Sequence, residues 1–193
     1  QKLPNFYYHD QQKILEIPHK KRRRQIVVCP VGVVGAGKTT VIKPLSKKLS
    51  LLRISTDKIR KLLKENGHGY DSVKKIAYYL ADKYIGKGFS IVIDGNCSSK
   101  EAQKYIQELK NKHNVKVFWI HVNPPEAFIM RKLKNYKHTW LFKNAREAIK
   151  NYRSSKAKRN NLNFPFVYVL DPSRDDLEKQ IEEAASIIKK NIH

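Results

Sequence analysis

Gly32-Val33-Val34-Gly35-Ala36-Gly37-Lys38-Thr39 fits the pattern G-x-x-x-x-G-K-[ST], a phosphate-binding P-loop, and decides how the rest of the chain is read. Its flanks are those the motif needs. Ile26-Val27-Val28-Cys29 before it reads as a short buried parallel strand, and Thr40-Val41-Ile42 after it opens a helical pattern. Glycines let backbone N–H groups turn inward with no Cβ in the way, and the helix that follows brings about half a positive charge at its N-terminus. Gly32, Gly35, Ala36, Gly37, Lys38, Thr39 and Thr40 are therefore the expected nucleotide cradle. Lys38 is expected to reach the β- and γ-phosphates and the Thr39 hydroxyl to hold Mg²⁺. A ligand-free glycine turn is the competing reading, and the complete eight-residue pattern between a strand and a helix argues against it.

The chain has 193 residues and is 40% hydrophobic, enough for one ordinary domain with a full core. No apolar run approaches the ~18 residues of a membrane span, and the polar N-terminus is no signal peptide, so a cytoplasmic protein without a membrane partner is expected. It opens at Gln1 without a methionine, as a processed or excised piece of a longer protein does. Cys29 and Cys97 each belong to an apolar strand-like region and form no C-x-x-C pair, the pattern of buried thiols in a reducing compartment. No cluster has metal-ligand spacing, so no structural zinc is expected.

Forty Lys and Arg against 17 Asp and Glu give a formal net charge of +23. Such a field favours polyanions, nucleic acid first and an acidic membrane surface second; a merely lysine-rich proteome is the bland alternative. Residues 1–25 read as an arm with an aromatic cluster, Phe6-Tyr7-Tyr8, and a cationic run, Lys20-Lys21-Arg22-Arg23-Arg24. Aromatics beside cations can grip a single strand, although such segments more often pack an aromatic on the domain and leave the charges in water.

From residue 26 onward strands and helices alternate. Pro44 falls inside the helix after the P-loop, where a kink is expected. Leu51 to Ser55 is a second strand, followed by a helix carrying Asp57 and Arg60 one turn apart on one face. Asp71 is the expected cap of a third helix, Phe89 to Asp94 the third strand, and Ser98 or Ser99 the cap of the next helix. Val115 to Val122 is a fourth strand, and Pro124-Pro125 starts a helix. A basic stretch from Arg131 to Arg159 holds eleven cations and one acid, Glu147, and reads as a helical lid over about 131–160. Phe166 to Leu170 is the last strand, and a helix over 173–191 is capped by Ser173. The expected architecture is α/β: a P-loop NTPase three-layer sandwich, five parallel strands covered on both faces, with ligands at the carboxyl ends of the strands.

Those ends put the P-loop, Asp57 and Asp94 on one rim. Two carboxylates facing a triphosphate suit phosphoryl transfer, one organising Mg²⁺ and the other accepting the proton of an attacking hydroxyl. Gly32–Thr39, Ser55-Thr56-Asp57-Lys58-Ile59-Arg60 and Ile91-Val92-Ile93-Asp94-Gly95-Asn96 together resemble the P-loop kinases of the phage-type polynucleotide 5′-hydroxyl kinase group, with zeta-toxin-like and other small P-loop kinases as broader relatives. The resemblance implies Asp57 as general base, Arg60 on the acceptor's phosphate, Asp94 on the Mg²⁺ and acceptor side, and Arg131 in a lid closing over the transferring phosphate. Relatives carry a pair of lid arginines; here Arg131 is followed by Lys132, Lys134 and Lys137.

ATP is the expected donor, because no N-K-x-D guanine-reading signature occurs. For the acceptor the charge balance points to the 5′-hydroxyl of single-stranded RNA or DNA. A small-molecule kinase and a nucleic-acid-binding ATPase without transfer remain the alternatives. His68, His121, Trp119, Trp140 and Tyr136 are further polar or aromatic candidates, each with a plain structural role as its rival.

Overall fold

A computed structural model describes residues 14–18, 20–21, 23–137, 141–157 and 163–192. The expected architecture is what these residues form. Five strands, β1 (Ile26–Val31), β2 (Leu52–Ser55), β3 (Ile91–Asp94), β4 (Lys116–Val122) and β5 (Phe166–Leu170), make one parallel sheet in the order β2-β3-β1-β4-β5. Strands β1, β2 and β3 are buried at every position, the sequence signature of strands covered on both faces.

Seven helices follow the strands among the described residues: α1 (Lys38–Lys48), α2 (Thr56–Glu65), α3 (Val73–Gly86), α4 (Lys100–His113), α5 (Glu126–Lys134), α6 (Ala145–Ala157) and α7 (Leu177–Lys190). The two-residue alternation of β1 divides the core. Val27 and Cys29 face a cluster with Ile59 and Leu63 of α2, Ile76 and Leu80 of α3 and Ile106 of α4. Ile26 and Val28 face Val41, Ile42 and Leu45 of α1 and Ile181, Ala184 and Ile188 of α7. A third, smaller cluster joins α5 and α6 through Ile129, Leu133, Phe142, Ala148 and Tyr152, so the lid carries its own apolar packing.

Local chemistry explains most element ends, and in three places it departs from the sequence expectation. Ser55 caps α2 by accepting from Lys58 N–H at 3.3 Å, and Ser99 caps α4 by accepting from Ala102 N–H at 3.2 Å. Asp71 does not cap α3: the N-cap residue is Ser72, already in a helical conformation, and the chain enters through a turn in which Val73 N–H donates to the Tyr70 carbonyl at 3.1 Å. Ser173 does not cap α7 either. Its backbone N–H and its hydroxyl both donate to the Asp171 carboxylate, at 2.9 and 2.6 Å, which closes a turn and delays the helix to Leu177. Pro125 is the N-cap residue of α5, one position before the first turn. Helix α1 runs continuously across Pro44.

The described part of the N-terminal arm belongs to the domain. Ile14 and Leu15 are buried in the β2-side core, and Glu16 bridges to Arg53 of β2 in antiparallel fashion. Lys20, Lys21, Arg23 and Arg24 are exposed, Lys21 lying over the Phe89 ring at 5.4 Å; Phe6, Tyr7, Tyr8 and Arg22 lie outside the described residues. Cys29 and Cys97 are both free and fully buried, and burial pushes the Cys29 thiol up. Trp119 packs tilted against Phe164 at 4.5 Å and His121 stacks on Phe166 at 4.7 Å, both structural contacts of β4.

Candidate active site

Strand β1 lies between β3 and β4, so the loop after it emerges at the centre of the carboxyl-terminal rim, where chain direction splits to either side. Three glycines shape that loop for different reasons. Gly35 and Gly37 have φ of 80° and 92°, the left-handed region an L side chain resists. Gly32 serves close approach: a Cβ there would sit 2.7 Å from the Val122 carbonyl oxygen at the end of β4. Backbone cannot swing aside as a side chain can, so Gly32→Ala is expected to cost about 1–3 kcal/mol and to lower the melting temperature measurably.

The ammonium of Lys38 donates to the carbonyls of Gly32 and Val33, at 2.9 Å each, and is thereby held on the loop's own concave backbone. The Thr39 hydroxyl donates to Asp94 Oδ1 at 3.1 Å. This contact joins the first turn of α1 to the end of β3. A hydroxyl oxygen and a carboxylate oxygen side by side are hard donors that fit Mg²⁺, which commonly takes one or two protein oxygens and completes its shell with phosphate and water. Among the described residues no group of three or more His, Cys, Asp and Glu is assembled for a metal.

Asp94 is 4% exposed, and its other oxygen, Oδ2, is held by Arg53 of β2 through Nε at 2.7 Å and Nη2 at 2.5 Å. Arg53 is 6% exposed. Sequence reading missed this arginine because it lies inside a strand of otherwise buried type. The signal was there in weak form: a charge in the middle of a buried strand demands a partner.

The second carboxylate sits differently. Asp57, in the first turn of α2, is 46% exposed along its side chain and accepts from Arg60 Nη1 at 2.6 Å. Arg60 also reaches the Thr56 hydroxyl at 3.3 Å, and Thr56 in turn donates to the Asp94 backbone carbonyl at 3.2 Å. A Cβ on Gly95 would fall 2.7 Å from Thr56 Cγ2, so glycine lets the end of β3 lie against the start of α2. The register pairs Ser55 with Asp94, which fixes the relative height of the two carboxylates.

These groups surround one cavity of about 680 Å³. Gly35, Gly37, Lys38, Thr39, Thr40, Asp57, Arg60 and Asp94 all line it; Gly32, Ala36 and Arg131 do not. Its roof comes from the lid: Leu133, Tyr136, Leu141 and Phe142 supply apolar surface, and Lys132 and Lys137 supply charge. Arg131 and Lys132 are both exposed and both approach the Phe128 ring, at 5.7 and 4.7 Å, but only Lys132 also lines the cavity. Lys132 brings its Nζ to 3.5 Å from where a Gly37 Cβ would be, against the P-loop. Partial burial lowers the pKa of that ammonium. The reason is helical phase: one residue turns the side chain by about 100°, and α5 docks with Ile129 and Leu133 inward. Tyr136, its ring tilted against Phe142 at 5.6 Å, has its hydroxyl pKa raised by burial. His68 is exposed in its loop, and Trp140 lies outside the described residues.

A central parallel sheet, a glycine loop running into a helix, strand-end carboxylates and a two-helix roof define the P-loop kinase fold. Residues 27–156, most of the chain, match the family model described as the AAA domain, and the chain belongs to that family. No curated protein matches its sequence. Among solved structures, the APS kinase of Mycobacterium tuberculosis in complex with AMPPNP and APS is 14% identical with a TM-score of 0.61, covering 87% of this chain and 99% of its own. A sugar kinase from Janibacter sp. HTCC2649 is 17% identical with a TM-score of 0.57, covering 89% and 97%. A gluconokinase from Sinorhizobium meliloti 1021 is 13% identical with a TM-score of 0.53, covering 89% and 94%. At such identities the likeness is one of fold.

Proposed function

We propose that the protein is an ATP-dependent phosphotransferase that moves the γ-phosphoryl group of ATP to a hydroxyl of a small, anionic molecule. The observation that carries this reading is the roofed cavity in which the P-loop, Asp57, Arg60 and Asp94 meet. Its volume, about 680 Å³, is that of a small-molecule cleft, for which the usual range is roughly 300–1,000 Å³. An APS kinase and a gluconokinase among the proteins of this fold lend it support, since both act on small molecules.

In this reading the P-loop backbone and Lys38 cradle the phosphates, exchanging the Gly32 and Val33 carbonyls for phosphate oxygens as the lysine's partners. Mg²⁺, which Thr39 and Asp94 would hold, supplies charge neutralisation on the phosphates. Lys132 is the lid cation for the transferring group. An anionic group on the acceptor draws Arg60 away from Asp57, and the freed carboxylate accepts the hydroxyl proton as its oxygen bonds to the γ-phosphorus. The bond from that phosphorus to the bridging oxygen breaks, and ADP leaves. Positioning and electrostatics supply the catalysis.

A 5′-hydroxyl nucleic acid is the second reading, and one observation favours it. Arg146, Lys150 and Arg153 line a separate cleft of about 440 Å³ on α6, whereas Asn151 of the same helix lines the roofed cavity. This outer cationic face suits a phosphodiester backbone lying outside the site. A transfer assay with γ-labelled ATP, offering hydroxyl metabolites, 5′-hydroxyl RNA and 5′-hydroxyl DNA, separates the readings. Label on a small molecule is the expected result, with Arg146→Glu/Arg153→Glu changing its kcat/KM less than twofold. Label on an oligonucleotide, falling steeply with salt and with the double charge reversal, would establish the second reading. Phosphate release with no acceptor labelled would overturn both and leave an ATPase.

A further inference from the structure

The geometry points to Arg53 as a positioning residue that fixes which oxygen of Asp94 faces the metal; the inference rests on the Mg²⁺-nucleotide reading above. Two donors of the guanidinium, Nε and Nη2, converge on the same carboxylate oxygen, Oδ2. Oδ1 is thereby left to the Thr39 hydroxyl, 3.1 Å away. A carboxylate held at one oxygen by a rigid planar fork cannot rotate about its Cβ–Cγ bond without breaking both bonds. The strand register does the rest: Arg53 pairs with Val92 and Ser55 with Asp94, so the arginine reaches along the sheet to the strand end next door.

Arg53 is itself braced. Glu16 lies 3.9 Å from Nη1 and 3.1 Å from Lys58 Nζ, and residue 16 bridges residue 53 through the backbone. The hydrogen bond from Lys58 and the nearby charges of Lys58 and Arg53 hold the Glu16 carboxyl below its usual range. A chain of contacts thus runs from the N-terminal segment through Arg53 and Asp94 to the P-loop threonine. Partners of this kind orient a metal-binding oxygen, and losing one typically costs 10–100-fold in metal affinity.

The test compares wild type, Arg53→Lys and Arg53→Gln, measuring binding of a non-hydrolysable ATP analogue by calorimetry with Mn²⁺ and, separately, in EDTA. Electron paramagnetic resonance of Mn²⁺ gives a second readout independent of turnover. Lysine keeps the buried charge but offers no fork, so the expected result is a roughly tenfold or greater loss of Mn²⁺ affinity with analogue binding in EDTA within twofold of wild type. Arg53→Gln keeps donors without the charge and is expected to lose at least as much. Metal affinity unchanged in Arg53→Lys, equal losses with and without metal, or tighter Mn²⁺ binding in Arg53→Gln would each overturn the positioning role, the last by making the arginine a charge brake. Wild type that binds the analogue equally with and without Mn²⁺ would overturn the Mg²⁺-nucleotide reading along with it, which distinguishes the two failures.

Discussion

In the proposed phosphotransferase, Asp57→Asn is expected to lower kcat by about 10²–10⁴-fold, the ordinary worth of a positioned general base, while KM for ATP stays close to wild type. The amide has the size and shape of the carboxylate but cannot take a proton. Asp57 lines the cavity paired with Arg60 and makes no hydrogen bond to Lys38 or Thr39 among those the structure gives, so nucleotide binding has little reason to change. Nor has stability. The residue is 46% exposed and its pair with Arg60 is a surface ion pair, worth about 0–1 kcal/mol. Single-turnover transfer and a thermal melt check both halves. A loss under tenfold would remove Asp57 from the chemistry and leave it as the favourable acid in the first turn of α2.

Asp94→Ala behaves in the opposite way: it destabilises the fold by about 3–5 kcal/mol, the cost of orphaning one member of a buried ion pair. At this chain length that corresponds to roughly 6–20 °C in melting temperature. Removing the carboxylate leaves Arg53, 6% exposed, with Glu16 at 3.9 Å as a poor substitute. Thr39 loses its acceptor at the same stroke. Replacing both partners in Arg53→Met/Asp94→Leu restores much of the stability, because a buried pair exchanged for apolar side chains of similar volume is often neutral. The double variant is expected to remain inactive, since the proposed Mg²⁺ site lacks the Asp94 oxygen. A single Asp94→Ala that melts with wild type would show the Arg53–Asp94 contact to be energetically idle. Two aspartates at neighbouring strand ends thus predict opposite signatures, one kinetic and one thermodynamic.

Burial, which made those signatures differ, was not legible locally. Asp57 and Asp94 each follow an apolar strand, and nothing in either stretch says that one carboxylate is 46% exposed and the other 4%. The difference arises because Asp94 is the last residue of β3 itself, paired with Ser55, whereas Asp57 stands in the first turn of α2, beyond the buried end of β2, and that pairing is long-range. Arg53 escaped for the same reason: its partner is 41 residues away and becomes a neighbour only through the β2–β3 register. The lid failed at finer scale. Arg131 and Lys132 are adjacent and both cationic, and the docking of α5 through Ile129 and Leu133 selects the lysine for the cavity.

The sequence by itself determined the P-loop, the alternation of five strands with helices, and the set of groups at the carboxyl rim. Each of these rests on short-range physics: glycine's access to positive φ at Gly35 and Gly37, the periodicity of apolar residues, and the reach of a strand into its following helix. Tertiary structure alone decided which carboxylate is buried, which lysine faces the P-loop, and that Glu16 of the arm braces the arginine behind Asp94. Those are outcomes of packing between segments distant in the chain, where a single helical step of about 100° or one strand's register in the sheet reverses the answer.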